Sequence, residues 1–276
     1  MKLLSSLIVI SAGAAPLAAC STAVKGLAPD AASQDFGSFG ATIASDGHRP
    51  NFTCATVPAP TTADDPLTLA GTVEAITMNG ALDPVDAAEV ALFRAGQPVV
   101  LSRTSSDAAG AFSTGAVASG GHPIEAYLKA TKPQFRTTFL YPQYPFATSV
   151  TLPLPVVSDA LFATLTTTLG ATQHDNANGA LLVVVADCDG TRFPGATITV
   201  AHGSMPAGHI YDLGAIVPGA DGTFLVVDVP DGKARVTASY QAIPFPEHDV
   251  IVRKQDPDCP TPRATLTATT MIPGPV

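Results

Sequence analysis

The chain has 276 residues, of which 46% are hydrophobic and only 13% charged, so it can build a sizeable core and is not intrinsically disordered. Its formal net charge of −9 disfavours binding to nucleic acid and attachment to a membrane through a basic patch. The abundance of Thr, Val, Ala, Gly and Pro favours strands and turns over helices.

The N-terminus carries Lys2, then an uncharged run over residues 3–19, and then Cys20. A basic start, a short apolar middle and small residues at a cleavage point are typical of a secretory signal, and the run is too short for a good membrane span. The ending Leu17-Ala18-Ala19-Cys20 resembles the lipobox of bacterial lipoproteins. This resemblance implies that residues 1–19 are removed and that Cys20 carries the lipid. An ordinary signal peptide with a chance cysteine is the alternative.

Residues 20–66 are rich in Ala, Ser, Thr, Asp, Gly and Pro, and they show no helical or alternating period. The segment is therefore predicted to be a flexible tether that holds the first domain roughly 30–40 Å from a bilayer. Part of it, around Phe36, Phe39 and Phe52, could instead dock on a domain.

Residues 67–157 contain short apolar or alternating runs bounded by Gly, Pro, Asp or Asn, which predicts a β-sandwich. Pro153 and Pro155 cannot donate to a β-ladder, so the last run is expected on an edge or outside the sheet. The predicted strands cover 67–77, 89–94, 98–103, 124–130, 137–140 and 149–156.

One helix is predicted over 158–169, with Ser158 or Asp159 as its N-cap and Gly170 placed to end it. Leu161, Phe162 and Leu165, with Leu169, form one apolar face. Together with the polar joint at 173–178, residues 158–178 are expected to link two domains.

The second domain is predicted over 179–276, and hairpin turns are indicated by Asp189-Gly190, Asp221-Gly222 and Asp231-Gly232. Its predicted strands cover 180–186, 196–201, 223–228, 233–240, 248–254 and 263–271.

The two halves also align with each other at an offset of about 110 residues, which indicates two domains of one kind. The corresponding blocks are 71–73 with 179–181, 88–92 with 196–200, 107–112 with 221–224 and 126–131 with 236–240.

The blocks in the first half of the chain, at 71–73, 88–92 and 107–112, resemble the carboxypeptidase regulatory-like domain. The pattern of that family runs Gly-x-Val, Pro-x-x-x-Ala-x-Val and Thr-x-x-Asp-x-x-Gly-x-Phe. The resemblance is good over 67–152 and weaker over 179–240, because residues 201–219 form a longer insertion. It implies an all-β chain of two tandem seven-stranded-type, transthyretin-like β-sandwiches joined by a short helix. Asp107 and Gly110 would then make a turn, with Phe112 in the core. Such domains usually act as spacers, adhesion modules or carbohydrate-binding-like modules.

Three cysteines follow Cys20, and export to an oxidising compartment favours a disulfide between two of them. Cys188 and Cys259 lie in the same half of the chain and are the expected pair, with Cys54 to Cys188 as the rival. No Cys-x-x-Cys motif supports a zinc or redox site.

Two enzymatic interpretations are weak. His122 and Glu125 have the His-x-x-Glu spacing of zinc carboxypeptidases, but residues three apart at a strand entry face opposite sides. Intradiol dioxygenases bind iron on a similar sandwich through two Tyr and two His. The corresponding side chains would be Tyr141, Tyr144, His202, His209 and Tyr211, which are divided between the repeats.

The acidic loops 187–190 and 256–258 could contribute to a calcium site, although turn chemistry explains their residues more simply. Tyr141 and Tyr144 lie in the only dense aromatic patch, which is either a possible ligand strip or a contact between the two domains. No catalytic residue, metal site or cofactor is expected.

The sequence therefore predicts a non-catalytic, lipid-anchored protein of the cell envelope that acts as a spacer, binding or adhesion module. Ser21 after the cysteine favours the outer membrane. The expected partners are the membrane, through the lipid on Cys20, and an envelope protein or polysaccharide. The alternatives are a carbohydrate-binding-like module and, less favoured, a metal-dependent envelope enzyme.

Overall fold

The computed structural model of the protein describes residues 50–56, 58–97, 99–259 and 263–274. In these ranges strands dominate, with one α-helix, α1 (Asp159–Thr168), and two short 3-10 turns at Thr53–Thr56 and Leu213–Ala215. The strands are β1 (Leu67–Ile76), β2 (Leu82–Pro84), β3 (Glu89–Arg94), β4 (Val100–Ser105), β5 (Ala111–Val117), β6 (Ala126–Thr131), β7 (Thr137–Pro142), β8 (Val150–Val156), β9 (Asn178–Val185), β10 (Thr197–His202), β11 (Met205–Pro206), β12 (His209–Asp212), β13 (Thr223–Pro230), β14 (Gly232–Tyr240), β15 (Ile243–Pro244), β16 (His248–Val252) and β17 (Thr265–Met271).

These strands form three sheets, and the all-β class is confirmed. An eight-stranded sheet has the order β12-β13-β9-β17-β7-β6-β3-β4. A smaller sheet has β1 at its centre, with β8 on one edge and β5 and β2 following each other on the opposite edge. The third sheet has β14 at its centre, between β10 on one side and β16 and β15 on the other.

The strand pairings repeat in the two halves of the chain. β1 pairs antiparallel with β5 and parallel with β8, and β9 pairs in the same way with β13 and β17. β6 pairs with β3 and β7, and β14 pairs with β10 and β16. The internal repeat predicted from the sequence is therefore a repeat of one sandwich topology.

The two sandwich units share a sheet instead of standing apart. β17 of the second unit pairs in parallel with β7 of the first over six residue pairs, from Thr265–Thr137 to Thr270–Pro142. This pairing fuses two four-stranded halves into the eight-stranded sheet. The expectation of tandem sandwiches joined by a short helix did not include this connection.

Alternation of side chains along the eight-stranded sheet creates two cores on its opposite faces. On β9, Leu182 and Val184 enter the core that includes β1, β8 and α1, which we call the first core. Leu181 and Val183 enter the core beneath β10, β14 and β16, which we call the second core. Because successive strand residues point to opposite faces, one strand contributes to both cores. The molecule is therefore a three-layer β-sandwich with the shared sheet in the middle.

Helix α1 forms as the sequence predicts. The Ser158 side chain accepts a hydrogen bond from the Leu161 N–H, which satisfies one of the free N–H groups of the first turn. Leu161, Phe162 and Leu165 are buried, and Gly170 follows the helix at φ +61°, a conformation that favours glycine. The helix covers part of the first core.

Several local predictions can be checked directly. The Asp107 carboxylate accepts hydrogen bonds from the Ala109 and Ala111 N–H groups, and Phe112 is buried in the first core, as expected. β8, which contains Pro153 and Pro155, lies on a sheet edge. The predicted hairpin at Asp231-Gly232 is wrong, because the turn joins β13 and β14, which belong to different sheets.

The expected Cys188–Cys259 disulfide is also wrong: Cys188 is bonded to Cys54, the rival partner. The strand directions explain the difference. Cys188 follows the end of β9, whereas Cys259 precedes the start of β17, and the two strands are parallel neighbours. The two cysteines therefore lie at opposite ends of a six-residue ladder, about 20 Å apart.

A buried ion pair connects the two halves beside the shared sheet. Lys129 Nζ on β6 lies 2.6 Å from Oδ1 of Asp256, which follows β16, and 2.8 Å from Oδ2 of Asp258. The side chains of Lys129 and Asp256 are 8% and 0% exposed. Thr137 Oγ1 donates a further hydrogen bond of 3.2 Å to Asp256. Both charges are thus removed from water and depend on each other.

We expect Lys129→Ala to lower the free energy of unfolding by about 3–5 kcal/mol, because it leaves the Asp256 carboxylate buried without its cation. Chemical denaturation followed by circular dichroism measures this, and both halves should unfold in one transition because they share a sheet. Arg103→Ala is the matched control. Its ion pair with Glu89 is more exposed, so its removal should cost about 0–1 kcal/mol. Equal losses in the two variants would contradict the prediction.

Candidate functional site

Residues 50–56 and 58–66, which we call the strap, cross both halves of the molecule. At one end the Cys54–Cys188 disulfide and the Asn51 amide, which donates to Asp189, hold the strap to the second half. At the other end the Ala63 N–H donates to the Gly121 carbonyl of the first half. This part of the predicted flexible tether is therefore bound to the protein.

Docking of the tether through Phe52, which the sequence left open, is observed. The Phe52 ring makes edge contacts with Phe193 and Phe245, at centroid distances of 6.0 and 6.1 Å, and lies 5.8 Å from the Tyr240 ring. Phe36 and Phe39 lie outside the described residues. The aromatic contact and the disulfide together fix the start of the strap on the second core.

A cavity of about 580 Å³ lies between the strap, the loop after β7 and the C-terminal segment. This volume falls in the range of pockets that bind small molecules. The walls are mostly apolar and rich in proline, and the cavity also reaches the Cys54 end of the strap. Its lining includes Pro58, Pro60, Tyr144, Pro145, Ile272 and Pro273.

A second cleft, of about 320 Å³, lies where β6, β7 and β16 meet, at the junction of the two halves. We call it the junction cleft. Its described lining contains no lysine or arginine, and its polar groups are planar amide, carboxylate, imidazole and phenol side chains. They are contributed by Glu125, Tyr141, Gln143, Tyr144, His248 and Asp249.

Tyr141 and Tyr144, the predicted ligand strip, both line the junction cleft, but they have different roles. Tyr141 is 7% exposed and stacks on Tyr127 at 4.9 Å, and Tyr127 stacks on Phe93 at 5.2 Å. Burial raises the pKa of Tyr141 to about 12, against the opposing charge of Arg253. Its ring therefore belongs to the second core and is not a free binding platform.

Tyr144 separates the two cavities, since it lines both. Its side chain is half-buried, and burial raises the pKa of its phenol. Its hydroxyl is buried without a hydrogen-bond partner among the described residues. It also lies against Gly274, where an added Cβ would be 1.5 Å from the hydroxyl. Of the two tyrosines, Tyr144 is the one placed to contact a ligand.

Gln143 fixes the same loop to the second half. Its amide nitrogen donates to the Pro246 carbonyl at 3.2 Å, and its amide oxygen accepts from the Ile272 N–H at 2.7 Å. Sequence reasoning did not identify Gln143, although its place in the Tyr-Pro-Gln-Tyr-Pro run was a usable signal.

His248, at the start of β16, was also missed. Burial lowers the pKa of its imidazole to about 4, and a hydrogen bond with the Tyr141 backbone and the charge of Asp249 only partly oppose this effect. Its Nε2 is buried without a hydrogen-bond partner in the described ranges. The imidazole is therefore neutral at physiological pH, and the junction cleft carries no positive charge from it.

The structure separates the residues of the dioxygenase interpretation. Tyr141 is on β7, whereas Tyr211 is on β12, four strands away in the same sheet, about 19 Å. His202 lies on β10, in a different layer, and His209 is exposed. His122 and Glu125 of the carboxypeptidase interpretation are both exposed. Among the described residues, no group of three or more His, Cys, Asp or Glu side chains could hold a metal ion.

The two acidic loops considered for calcium have other bonds. The Asp187 carboxylate accepts hydrogen bonds from the N–H groups of Asn51, Asp189 and Thr191. Asp256 is paired with Lys129. The loops are not joined by the expected disulfide, and their carboxylates stabilise turns and the junction between the halves. Cys20, the predicted lipidation site, lies outside the described residues.

Comparison with known proteins adds little about function. No protein-family model matches the chain, and no curated protein matches it. The resemblances to the lipobox and to the carboxypeptidase regulatory-like domain therefore stay predictions.

Among solved structures, the chain is similar to the shaft pilin SpaA from Lactobacillus rhamnosus GG, with 10% identity, a TM-score of 0.26, and coverage of 76% of this chain and 98% of that chain. A minor pilin of Streptococcus agalactiae has 9% identity and a TM-score of 0.25, with coverage of 76% and 97%. The Bacillus anthracis TIE protein has 10% identity and a TM-score of 0.23, with coverage of 75% and 33%. Similarity this low assigns no function to the chain.

We expect the protein to lose about 2 kcal/mol of stability between pH 7.5 and pH 5 through His248. The folded-state pKa of about 4 lies below the ordinary value of 6.5, so the unfolded chain binds the proton first as the pH falls. The stabilisation is complete above pH 6.5 and is lost as the pH falls towards 4. Urea unfolding at a series of pH values measures it.

His248→Gln is the test variant for this prediction, since it keeps a planar polar side chain that does not titrate. Its stability should change less than that of the wild type between pH 7.5 and pH 5. His209→Gln is the control, because His209 is exposed on β12 and its removal should leave the pH profile unchanged. Parallel profiles for the wild type and His248→Gln would refute the assignment.

Proposed function

We propose that the protein is a non-catalytic module of the cell envelope, anchored by a lipid on Cys20, which acts as a spacer and binds an envelope partner. The observation that carries the anchor is the Leu17-Ala18-Ala19-Cys20 sequence after a signal-like run. Across the described ranges, no helical segment has the length and apolar character needed to cross a bilayer.

The spacer role is supported by the shared sheet. Edge-to-edge pairing of β7 with β17, the buried Lys129–Asp256 pair and the strap all connect the two halves. Two sandwiches joined in this way move as one unit. Pro50, where the described residues begin, follows Cys20 by 30 residues in the sequence. The anchor would thus hold a stiff body near the outer membrane.

Cys20→Ser should move the protein from the membrane fraction to the soluble fraction, because the thioether-linked lipid is the proposed attachment. Fractionation of expressing cells, followed by intact-mass measurement, tests this. Cys188→Ser is the matched control: it removes the Cys54–Cys188 disulfide but leaves the anchor, so it should stay with membranes. An unmodified Cys20 in the wild-type protein, whether as a thiol or in a disulfide, would count against the anchor.

Binding of a neutral saccharide is the second candidate function, and the composition of the junction cleft favours it. Planar polar side chains such as Glu125 and Gln143 can bond to sugar hydroxyls, and Tyr144 offers an apolar surface beside them. The described lining of the cleft has no lysine or arginine, and the chain has a net charge of −9, so anionic polymers are disfavoured. The candidate class is therefore an uncharged envelope polysaccharide.

Pull-down with cellulose and chitin, two uncharged polysaccharides, tests this second candidate. Tyr144→Ala should reduce binding to the retained polymer at least about tenfold, the equivalent of about 1.4 kcal/mol. Tyr211→Ala is the control, because this half-buried tyrosine lies on β12, at the far end of the eight-stranded sheet. Retention of none of the polymers, or equal binding by both variants, would exclude saccharide binding at the cleft while leaving the lipid anchor untouched.

A further inference from the structure

A third cavity, of only about 30 Å³, lies at a different contact between the two halves. Its walls come from the end of β1 and the following turn, from α1, and from the loop that connects Leu213 to β13. Ile76, Leu165 and Val217 are among its apolar walls. Arg192 and Thr223 place polar groups in it.

Arg192 is a cation without an ion-pair partner among the described residues. It lies in the turn after β9, and its Nη1 donates a long hydrogen bond of 3.3 Å to Thr223 Oγ1. Its Nε is buried and has no hydrogen-bond partner among the described residues. Asp221 is the acid whose charge acts on Arg192, but no ion pair joins the two side chains. Burial lowers the pKa of the Arg192 guanidinium below its ordinary value, and the charge of Asp221 opposes this effect.

Arg192 is half-buried, and a buried Nε–H donor without a hydrogen-bond partner is costly, so an additional partner is expected at this position. A cavity of about 30 Å³ has room for a single water molecule or monatomic ion. A water molecule could accept from Nε–H, but it would leave the positive charge uncompensated. A small anion would satisfy the donor and neutralise the charge together, and its attraction to Arg192 is strengthened by the apolar walls.

We propose that this cavity binds one halide ion, chloride under physiological conditions, between the Arg192 Nε–H group and the Thr223 hydroxyl. The Thr223 oxygen already accepts from Arg192, and its hydroxyl proton is not donated to any described acceptor, so that proton can point at the ion. The ion would contact residues of both halves, since Ile76 belongs to β1 and Val217 to the second half. Chloride would therefore stabilise the contact between the first and second sandwich units.

The surrounding backbone limits how large the anion can be. Gly80, in the turn after β1, lies so close to the opposite loop that an added Cβ would be 2.3 Å from the Pro218 carbonyl oxygen. The two loops are thus already in contact, and an anion such as gluconate or sulfate would force them apart. The site should select halides by size as well as by charge.

Thermal unfolding of the full chain in sodium chloride and in sodium gluconate, at equal ionic strength, tests the proposal. We expect a saturable rise in melting temperature of about 2–4 °C in chloride relative to gluconate. Arg192→Met should abolish this difference. Arg103→Met, at an exposed arginine on β4, should preserve it and controls for the change in net charge. Equal melting temperatures of the wild-type protein in the two salts would overturn the proposal.

Thr223→Val supplies a second variant in case Arg192→Met does not fold, because it keeps the cation and removes only the hydroxyl. It should weaken the chloride response at least several-fold without abolishing it. Crystals soaked in sodium bromide give an independent readout through anomalous scattering. A bromide peak beside Arg192 Nε is expected, whereas density for water without an anomalous signal would refute the halide site.

Discussion

The parallel pairing of β17 with β7 determines the rest of the architecture. A four-stranded half-sheet ends in an edge with unpaired N–H and C=O groups, which must be hydrogen-bonded if the edge is buried. Joining the two half-sheets satisfies both edges at once and turns β7 and β17 into interior strands. These two strands and their neighbour β9 must then be acceptable to a core on both faces, which explains the separation of residues such as Leu181 and Leu182 of β9 into different cores.

Interior strands tolerate polar side chains only where hydrogen bonds are available, and β17 shows how this is achieved. Thr267 and Thr269 are fully buried, and their hydroxyls donate to the carbonyls of Ile251 and Tyr141 at 3.0 and 2.8 Å. The ammonium group of Lys129 is likewise paired, with the buried carboxylate of Asp256. The polar groups at the junction are thus hydrogen-bonded across strands and layers, so they help to fix the position of the second unit on the first.

This arrangement explains which features the sequence could predict. Strand positions, the helix at Ser158 and the repeat follow from local alternation, capping and spacing, all of which are visible in one chain. The apolar run over 180–186 indicates a strand that is buried on both faces. The alternating threonines of β17, in contrast, have the pattern of a strand with one face in water, although β17 is also an interior strand. The disulfide could not be predicted from local patterns. The choice between Cys54 and Cys259 as the partner of Cys188 depends on knowing that β9 and β17 are parallel neighbours. Whether Tyr141 belongs to a ligand strip or to an inter-domain contact could not be decided for the same reason, because its strand gives no sign of a third layer.

The location of the cavities follows from the repeat itself. The Asp107 turn and the turn at Gly222 occupy equivalent positions, and the Gly110 and Gly222 carbonyls accept from Val73 and Val185 in the same way. Motifs present in both copies therefore stabilise the fold and give little information about ligands. What is unique lies where the copies meet: the strap, the loop carrying Tyr144, and the contact at Arg192. Because these places are built from residues of both halves, neither half contains them alone, and a motif search within one repeat does not find them. In this molecule the side chains that differ between the two copies, and could therefore select a ligand, are concentrated at the junction between the copies.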